Sequence, residues 1–294
     1  NLAYFGATQV YSAGAAFSAE AQNYFDRLDT AGDTTYVDYK LPLANYIDGL
    51  VTLGGAYWDD MLSACSYVGV GIQGVTVPLR SGMAVPTNNN FVSGDHNVLT
   101  GLTGDGATKR INTNASNNTP LQDDCAITRY LHTGGSSSFS WELGSSDTAS
   151  VSNSSTAVRM NSRSNTSDAL GTSSSLGFGG NTRNNSANYD IRSGGVTTNI
   201  TRTSTAPGLA DCYVFARSNG NYFDGTLSTY TFGPALDLAT LEPLQDTLIT
   251  EIAAVDAAVE IAAFAAESGA TDLTGLTNLV TYLKQESLYD NFVI

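Results

Sequence analysis

Gly101-Leu102-Thr103-Gly104-Asp105-Gly106-Ala107-Thr108-Lys109-Arg110-Ile111-Asn112-Thr113-Asn114 is the stretch from which the rest of the chain can be read. Gly104-Asp105-Gly106 is a tight turn, because glycine reaches backbone angles closed to other residues and an aspartate between glycines serves the turn. The turn feeds an alternating strand, the signature of a half-buried β-element. Short strands of this kind, separated by Gly, Asn or Ser turns and not by crossover helices, predict an antiparallel architecture.

The same texture continues downstream. Ser, Thr, Asn and Gly crowd residues 133–205, yet Phe139, Trp141, Leu143, Val158, Met160, Leu176, Phe178, Tyr189 and Ile191 recur in pairs at spacing two. That is a set of short strands joined by polar loops. In Phe139-Ser140-Trp141-Glu142-Leu143 the apolar residues occupy one face and Ser140 and Glu142 the other, which assigns Trp141 to the core.

Helical patterns frame the strands. Residues 1–17 form an uncharged aromatic arm, expected to pack on a neighbour. Ser18 is placed to cap a helix over 18–29 whose apolar face is Ala21, Tyr24, Phe25 and Leu28. Leu43, Tyr46, Ile47, Leu50 and Val51 predict a second helix over 43–53, stopped by Gly54-Gly55. Residues 18–62 are therefore a helical pair, 63–234 the strand-rich domain and 235–294 a C-terminal helical region. In that last region Leu241, Leu244, Leu248, Ile252, Val255, Val259 and Ala262 step by threes and fours along an alanine-rich helix that breaks at Ser268-Gly269. Residues 235–294 carry one cation, Lys284, against ten acids, a local net charge of -9. Such a helix needs a partner surface for its stripe. Two alternatives stand: self-association through that stripe, or folding back on helices 18–29 and 43–53. Ser268-Gly269-Ala270-Thr271, Leu276–Val280 and Tyr289–Phe292 echo residues 31–34, 43–47 and 58–61, so the helical pair is expected to recur, either opening a second module or capping the first. An Asn at residue 1 points to a processed or incomplete start.

The order of these elements carries a resemblance. Two helical patterns and Tyr57-Trp58-Asp59-Asp60-Met61 precede the Gly-Asp-Gly turn; Gln122–Thr133, Tyr222–Tyr230 and a long helix follow it. From about residue 19 to 260 this resembles the concanavalin A-like (laminin G-like) domains of bacteriophage tail-fibre and other virion proteins. The resemblance implies a mainly β, antiparallel jelly-roll sandwich with an N-terminal helical pair and a long C-terminal helix. It also implies a structural role on the virion, in a fibre, appendage or capsid-decorating position, with other virion proteins as partners and a homo-oligomer as the assembly. The alternatives are a host-receptor lectin that binds surface glycans, a secreted bacterial adhesin and an endoglycosidase.

Composition and motifs narrow the chemistry. A net charge of -15 repels a phosphate backbone and argues against nucleic-acid binding. No run has the length of a transmembrane helix, so membrane insertion is not expected. Cys65, Cys125 and Cys212 are an odd number with no CxxC pair, which predicts buried free thiols. Glycoside hydrolysis needs two carboxylates across the sugar, and Glu142 stands alone; His96 and His132 lack a nucleophile beside them. The expectation is therefore no enzyme and no catalytic residues. Calcium enters through the resemblance, since such sandwiches often bind it, but no EF-hand run is present, Asp105 reads as a turn residue and Asp123-Asp124 precede a strand; no cofactor is expected. The Asp95-His96-Asn97 loop reads likewise as a turn. Asn114, Asn153, Asn165, Asn184 and Asn199 head Asn-x-Ser/Thr triplets, as chance supplies in so Asn- and Ser-rich a chain. The assembly candidates are Leu241, Leu244, Leu248, Ile252, Val255 and Val259.

Overall fold

In a computed structural model, residues 17–135, 139–145, 149–154, 157–164, 168–170, 176–217 and 220–268 are described. The proposed repeat in 269–294 and the arm in 1–16 lie outside these residues. Phe17–Ile249 form one compact unit, and the described residues from Thr250 onward belong to a second.

Ser18 caps helix α1 (Ala19–Thr30) as expected, its hydroxyl accepting from Ala21 N at 3.1 Å. Ala21, Tyr24, Phe25 and Leu28 are all fully buried, and Gly32 (φ 79°) turns the chain out of the helix. A 3-10 turn over Thr35–Tyr39 leads directly into helix α2, which spans Lys40–Leu53 and not 43–53. The missed first turn contains Pro42, whose fixed φ and absent N–H suit a helix start.

Among the described residues fifteen strands follow: β1 (Ser63–Ser66), β2 (Thr87–Asn89), β3 (His96–Asn97), β4 (Gly101–Thr103), β5 (Arg110–Ser116), β6 (Cys125–Thr133), β7 (Phe139–Gly144), β8 (Ala149–Ser154), β9 (Ala157–Ser162), β10 (Asp168–Leu170), β11 (Gly177–Arg183), β12 (Asn188–Ser193), β13 (Val196–Thr201), β14 (Asp211–Val214) and β15 (Thr226–Gly233). They form two sheets. The first has the order β13-β12-β11-β6-β15-β4-β3, with β1 also paired to β15; the second has the order β10-β9-β8-β7-β14-β5-β2. Pairing is antiparallel in both sheets, as the turn-separated strands predicted. The chain passes from one sheet to the other between β1 and β2, β2 and β3, β4 and β5, β5 and β6, β6 and β7, β10 and β11, β13 and β14, and β14 and β15.

Side chains that cross between the sheets show that they face one another. Arg129 on β6 is ion-paired with Glu142 on β7, and neither side chain has any exposure. Asn181 on β11 donates to the Ser150 carbonyl on β8 at 2.9 Å, Arg183 donates to the Ser162 carbonyl on β9 at 2.8 Å, and the Tyr189 hydroxyl on β12 donates to the Met160 carbonyl at 3.2 Å. Around β1, β4, β5, β14 and β15 the filling is instead aromatic: Phe91 meets Phe215 at 4.9 Å between centroids, and Tyr67 lies 5.8 Å from Tyr230.

The outer face of the first sheet is covered by helix. α3 (Leu238–Ser268) begins after β15, and Gln245 on it accepts from the Thr229 hydroxyl on β15 and donates to the Tyr46 hydroxyl on α2. Glu242 on α3 accepts from Arg192 Nε at 2.6 Å. All eight residues of β15 are buried as a result, including the outward-facing Thr229 and Thr231. Among the described residues, no helix is long and apolar enough to cross a membrane.

Two expectations are corrected. Glu142 does not lie on a face opposite Leu143: the β7–β8 register shifts between Trp141 and Leu143, and both Glu142 and Leu143 are buried in the interior. Leu176 is 58% exposed, because β11 begins one residue later at Gly177. The side chains of Phe139, Trp141 and Val158 lie outside what is described.

Candidate functional site

The deciding stretch forms the centre of an open polar face. Asp105 accepts from the backbone N–H of Ala107, Thr108 and Lys109 at 2.8–2.9 Å, and from the Thr108 hydroxyl. Burial opposes ionisation, but these bonds outweigh it and hold the Asp105 carboxyl well below the usual carboxylate range. All these partners lie within the turn, so the carboxylate is a turn device. Gly104 cannot be replaced cheaply, since a Cβ there would stand 1.9 Å from the Phe223 carbonyl oxygen.

Beyond the turn, β5 alternates cleanly. Ile111, Thr113 and Ala115 are buried, while Arg110, Asn112 and Ser116 are half-buried and Asn114 is exposed. β14 does the same, with Cys212 and Val214 inward and Asp211 and Tyr213 outward. Register aligns Tyr213 with Asn112, Asn112 with Thr87, and Arg110 with Asn89, so these side chains share one face. The Arg110 guanidinium lies 5.1 Å from the centroid of the Tyr213 ring, a cation–π contact that fixes the ring. Asn112 donates to Asp211 at 3.1 Å and accepts from Asn114 N at 2.9 Å. Asn114, held at φ 53°, donates to the Val85 carbonyl and the Thr87 hydroxyl.

Asn114, Ala115 and Ser116 also form one wall of a groove of about 540 Å³. Its other walls are Asp59–Leu62 and Gly82–Ala84, with Met61 and Met83 buried at its base. Arg80 in this groove is a clamp: its guanidinium donates to the carbonyls of Trp58, Met61 and Ser81. The face and groove together offer one held aromatic ring, several amides and hydroxyls, and the carboxylates of Asp59, Asp60 and Asp211. That is chemistry suited to a hydroxyl-rich ligand.

The residues singled out from sequence are not brought together here. Asp95 accepts from Val92 N at 2.8 Å and pairs with Lys109 at 2.5 Å. His96 Nε2 contacts the Tyr67 carbonyl at 2.8 Å, and burial lowers the pKa of its ring. Asp124 accepts from Ala235 N at 2.7 Å. The three cysteines are free and buried, and burial pushes the Cys65 thiol up to about 12. Among the described residues, no three His, Cys, Asp or Glu side chains gather as a metal cage. Leu241, Leu248 and Ile252 are buried, while Leu244 and Val255 are half-buried; the side chain of Val259 lies outside what is described. Leu244 packs against Gly49 of α2, where a Cβ would come within 2.7 Å of its methyl group. Residues 241–248 therefore turn their stripe onto their own chain.

Tyr213, Arg110 and Asn112 carry no mark of a site in the sequence. The alternation of β5 was visible, but a pairing across about 100 residues leaves no local signal.

No protein-family model matches this chain, and no curated protein matches it. Among solved structures, it is similar to the binding domain of botulinum neurotoxin DC in complex with SialylT, at TM-score 0.43 and 12% identity over 65% of this chain and 52% of that one. It is similar to Trypanosoma rangeli sialidase at TM-score 0.42 and 13% identity, over 72% of this chain and 39% of the other. The NanB sialidase of Streptococcus pneumoniae aligns at TM-score 0.34 and 11% identity, over 46% of this chain and 26% of the enzyme. The chain thus spans about half the toxin domain and a smaller share of each sialidase. These likenesses are too distant to assign a function.

Proposed function

We propose that this chain is a non-enzymatic, lectin-like module whose β2–β5–β14 face and adjoining groove bind the hydroxyls of a neutral glycan. The observation that carries this reading is the Tyr213 ring, held under Arg110 on an open strand face beside the linked pair Asn112 and Asp211. An aromatic ring flanked by amide and carboxylate groups matches a sugar, which presents an apolar ring face and a rim of hydroxyls. The non-catalytic part of the proposal is supported by Glu142. It was the acid considered for glycoside chemistry, and it is sealed between the sheets on Arg129.

The wider setting we propose is a bacteriophage virion component with a concanavalin A-like jelly roll, in a fibre, appendage or capsid-decorating position and assembled with further copies and other virion proteins. The Gly104-Asp105-Gly106 turn, the element order and the neutral Ser/Thr/Asn surface support it.

Glycan-array screening followed by calorimetric titration tests the site. Wild-type protein is expected to bind, and Tyr213→Ala to weaken binding about fivefold to tenfold, on the order of 1 kcal/mol for a lost ring contact. Equal binding by wild type, Tyr213→Ala and Asn112→Ala would move the site elsewhere. Depolymerisation of a bound polysaccharide would overturn the non-catalytic reading.

A further inference from the structure

β13 is the outer strand of the first sheet, and among the described residues it pairs with β12 alone. Its residues Val196, Thr197, Thr198, Asn199 and Thr201 are exposed and Ile200 is half-buried. Edge strands invite pairing, and proteins usually blunt them with charge, proline or a bulge. β13 has none of these. Gly194 to Thr201 contain no charged residue and no proline, and the β12–β13 register runs without a shift from Ser193/Val196 to Asn188/Thr201.

The geometry dictates which backbone groups are available. Gly194 and Gly195 both have positive φ, at 59° and 78°, the form of a two-residue hairpin whose flanking residues, Ser193 and Val196, exchange hydrogen bonds. Hydrogen-bonded pairs then alternate along the ladder, so Val196, Thr198 and Ile200 bond inward to β12. The bond from Arg202 N to the Ala187 carbonyl, at 3.0 Å, continues this phase. Thr197, Asn199 and Thr201 therefore direct their N–H and C=O groups away from the sheet.

We propose that the outer edge of β13 is an interface with β13 of a second copy of this chain, antiparallel about a two-fold axis at Asn199. In this register Asn199 faces Asn199 of the second copy, and Thr197 faces its Thr201, so every outward backbone group of the three residues finds a complement. The choice of occupant follows from charge. Copies of a chain with net charge -15 repel one another, whereas β13 itself carries no charge, and the Asp190 carboxylate on β12 opposite Asn199 is engaged by the Asn199 amide at 2.6 Å. The nearest β12 cation, Arg192, is already paired with Glu242. Joining the edges makes one continuous sheet across two molecules and removes both exposed edges, an isologous interface.

Sedimentation of the full chain over a concentration series tests this. A monomer–dimer equilibrium is expected. Thr197→Pro, which removes an outward N–H and no intrachain backbone bond but also the bond from Arg192 to the Thr197 hydroxyl, and Thr198→Lys, which places charge on the edge, should each raise the dimer dissociation constant at least tenfold with an unchanged circular dichroism spectrum. If the proline variant misfolds, the lysine variant decides. Opposed residues in a hydrogen-bonded pair stand about 5.5 Å apart at Cα, within disulfide range, so Asn199→Cys should form an intermolecular disulfide on oxidation and Thr197→Cys should not. A strictly monomeric wild type would overturn the proposal, as would a dimer indifferent to both edge variants. A dimer lost only when residues 1–16 are deleted would assign the contact to the arm instead.

Discussion

Two halves of one interior are held together by different chemistry. Around β1, β4, β5, β14 and β15, rings fill the space: Phe215 touches Phe91, Tyr67 and Phe223 at centroid distances of 4.9–6.2 Å. Between β6, β11 and β12 on one side and β7, β8 and β9 on the other, polar side chains cross the gap to backbone carbonyls or, in one case, to an opposite charge. Small residues make that possible. Gly179 on β11 faces Arg129, and a Cβ there would stand 2.3 Å from its guanidinium. Dispersion and burial stabilise the first half without regard to direction, whereas the second depends on the directional bonds its polar side chains make across the gap.

The largest expected contrast comes from breaking the ion pair. Glu142→Gln should lower unfolding stability by about 3–5 kcal/mol in chemical denaturation, because it leaves the Arg129 charge buried and unpaired. The paired change Arg129→Met with Glu142→Leu should recover most of the loss. A cost below about 1 kcal/mol for Glu142→Gln would mean that the two halves do not differ as described.

Removing one hydroxyl sharpens the same comparison. Tyr189→Phe deletes the bond to the Met160 carbonyl and should cost about 1 kcal/mol. The Tyr67 hydroxyl is buried in the aromatic half with no partner among the described residues. Tyr67→Phe should therefore be neutral or slightly stabilising. Equal losses in the two variants would place a hydrogen-bond acceptor beside Tyr67.

Titration of His96 gives the smallest effect. Burial lowers its pKa, against the Tyr67 carbonyl and Asp33, which raise it. The unfolded chain then binds the proton more readily, so this contribution to stability is complete above the ordinary histidine value of about 6.5 and is lost as pH falls through it. His132 has the same sign, from burial alone. Denaturation midpoints measured from pH 8 to pH 5 should fall, and His96→Gln should flatten the curve.

Periodicity and turn chemistry were legible because they act over a few residues. The Ser18 cap, the apolar face of α1, the Gly-Asp-Gly turn, the alternation of β5 and the antiparallel pairing could all be read locally. Local order stops being a guide at Glu142, where one irregularity reverses an alternation, and at β15, where Thr226, Ser228, Thr229 and Thr231 are core residues only because α3 lies outside them or because hydroxyls on β6 and the Thr100 carbonyl pair with theirs. The partners of buried polar groups are tens to hundreds of residues away, and no local pattern encodes which carbonyl will arrive opposite Asn181 or which ring will sit under Arg110. The kinds of element and the places where they turn follow from the chain's local order, since backbone angles and side-chain period are local. Which polar residues belong inside, which strand face stays open and which edge lies outermost follow from the assembled fold, because each depends on what the rest of the chain brings alongside.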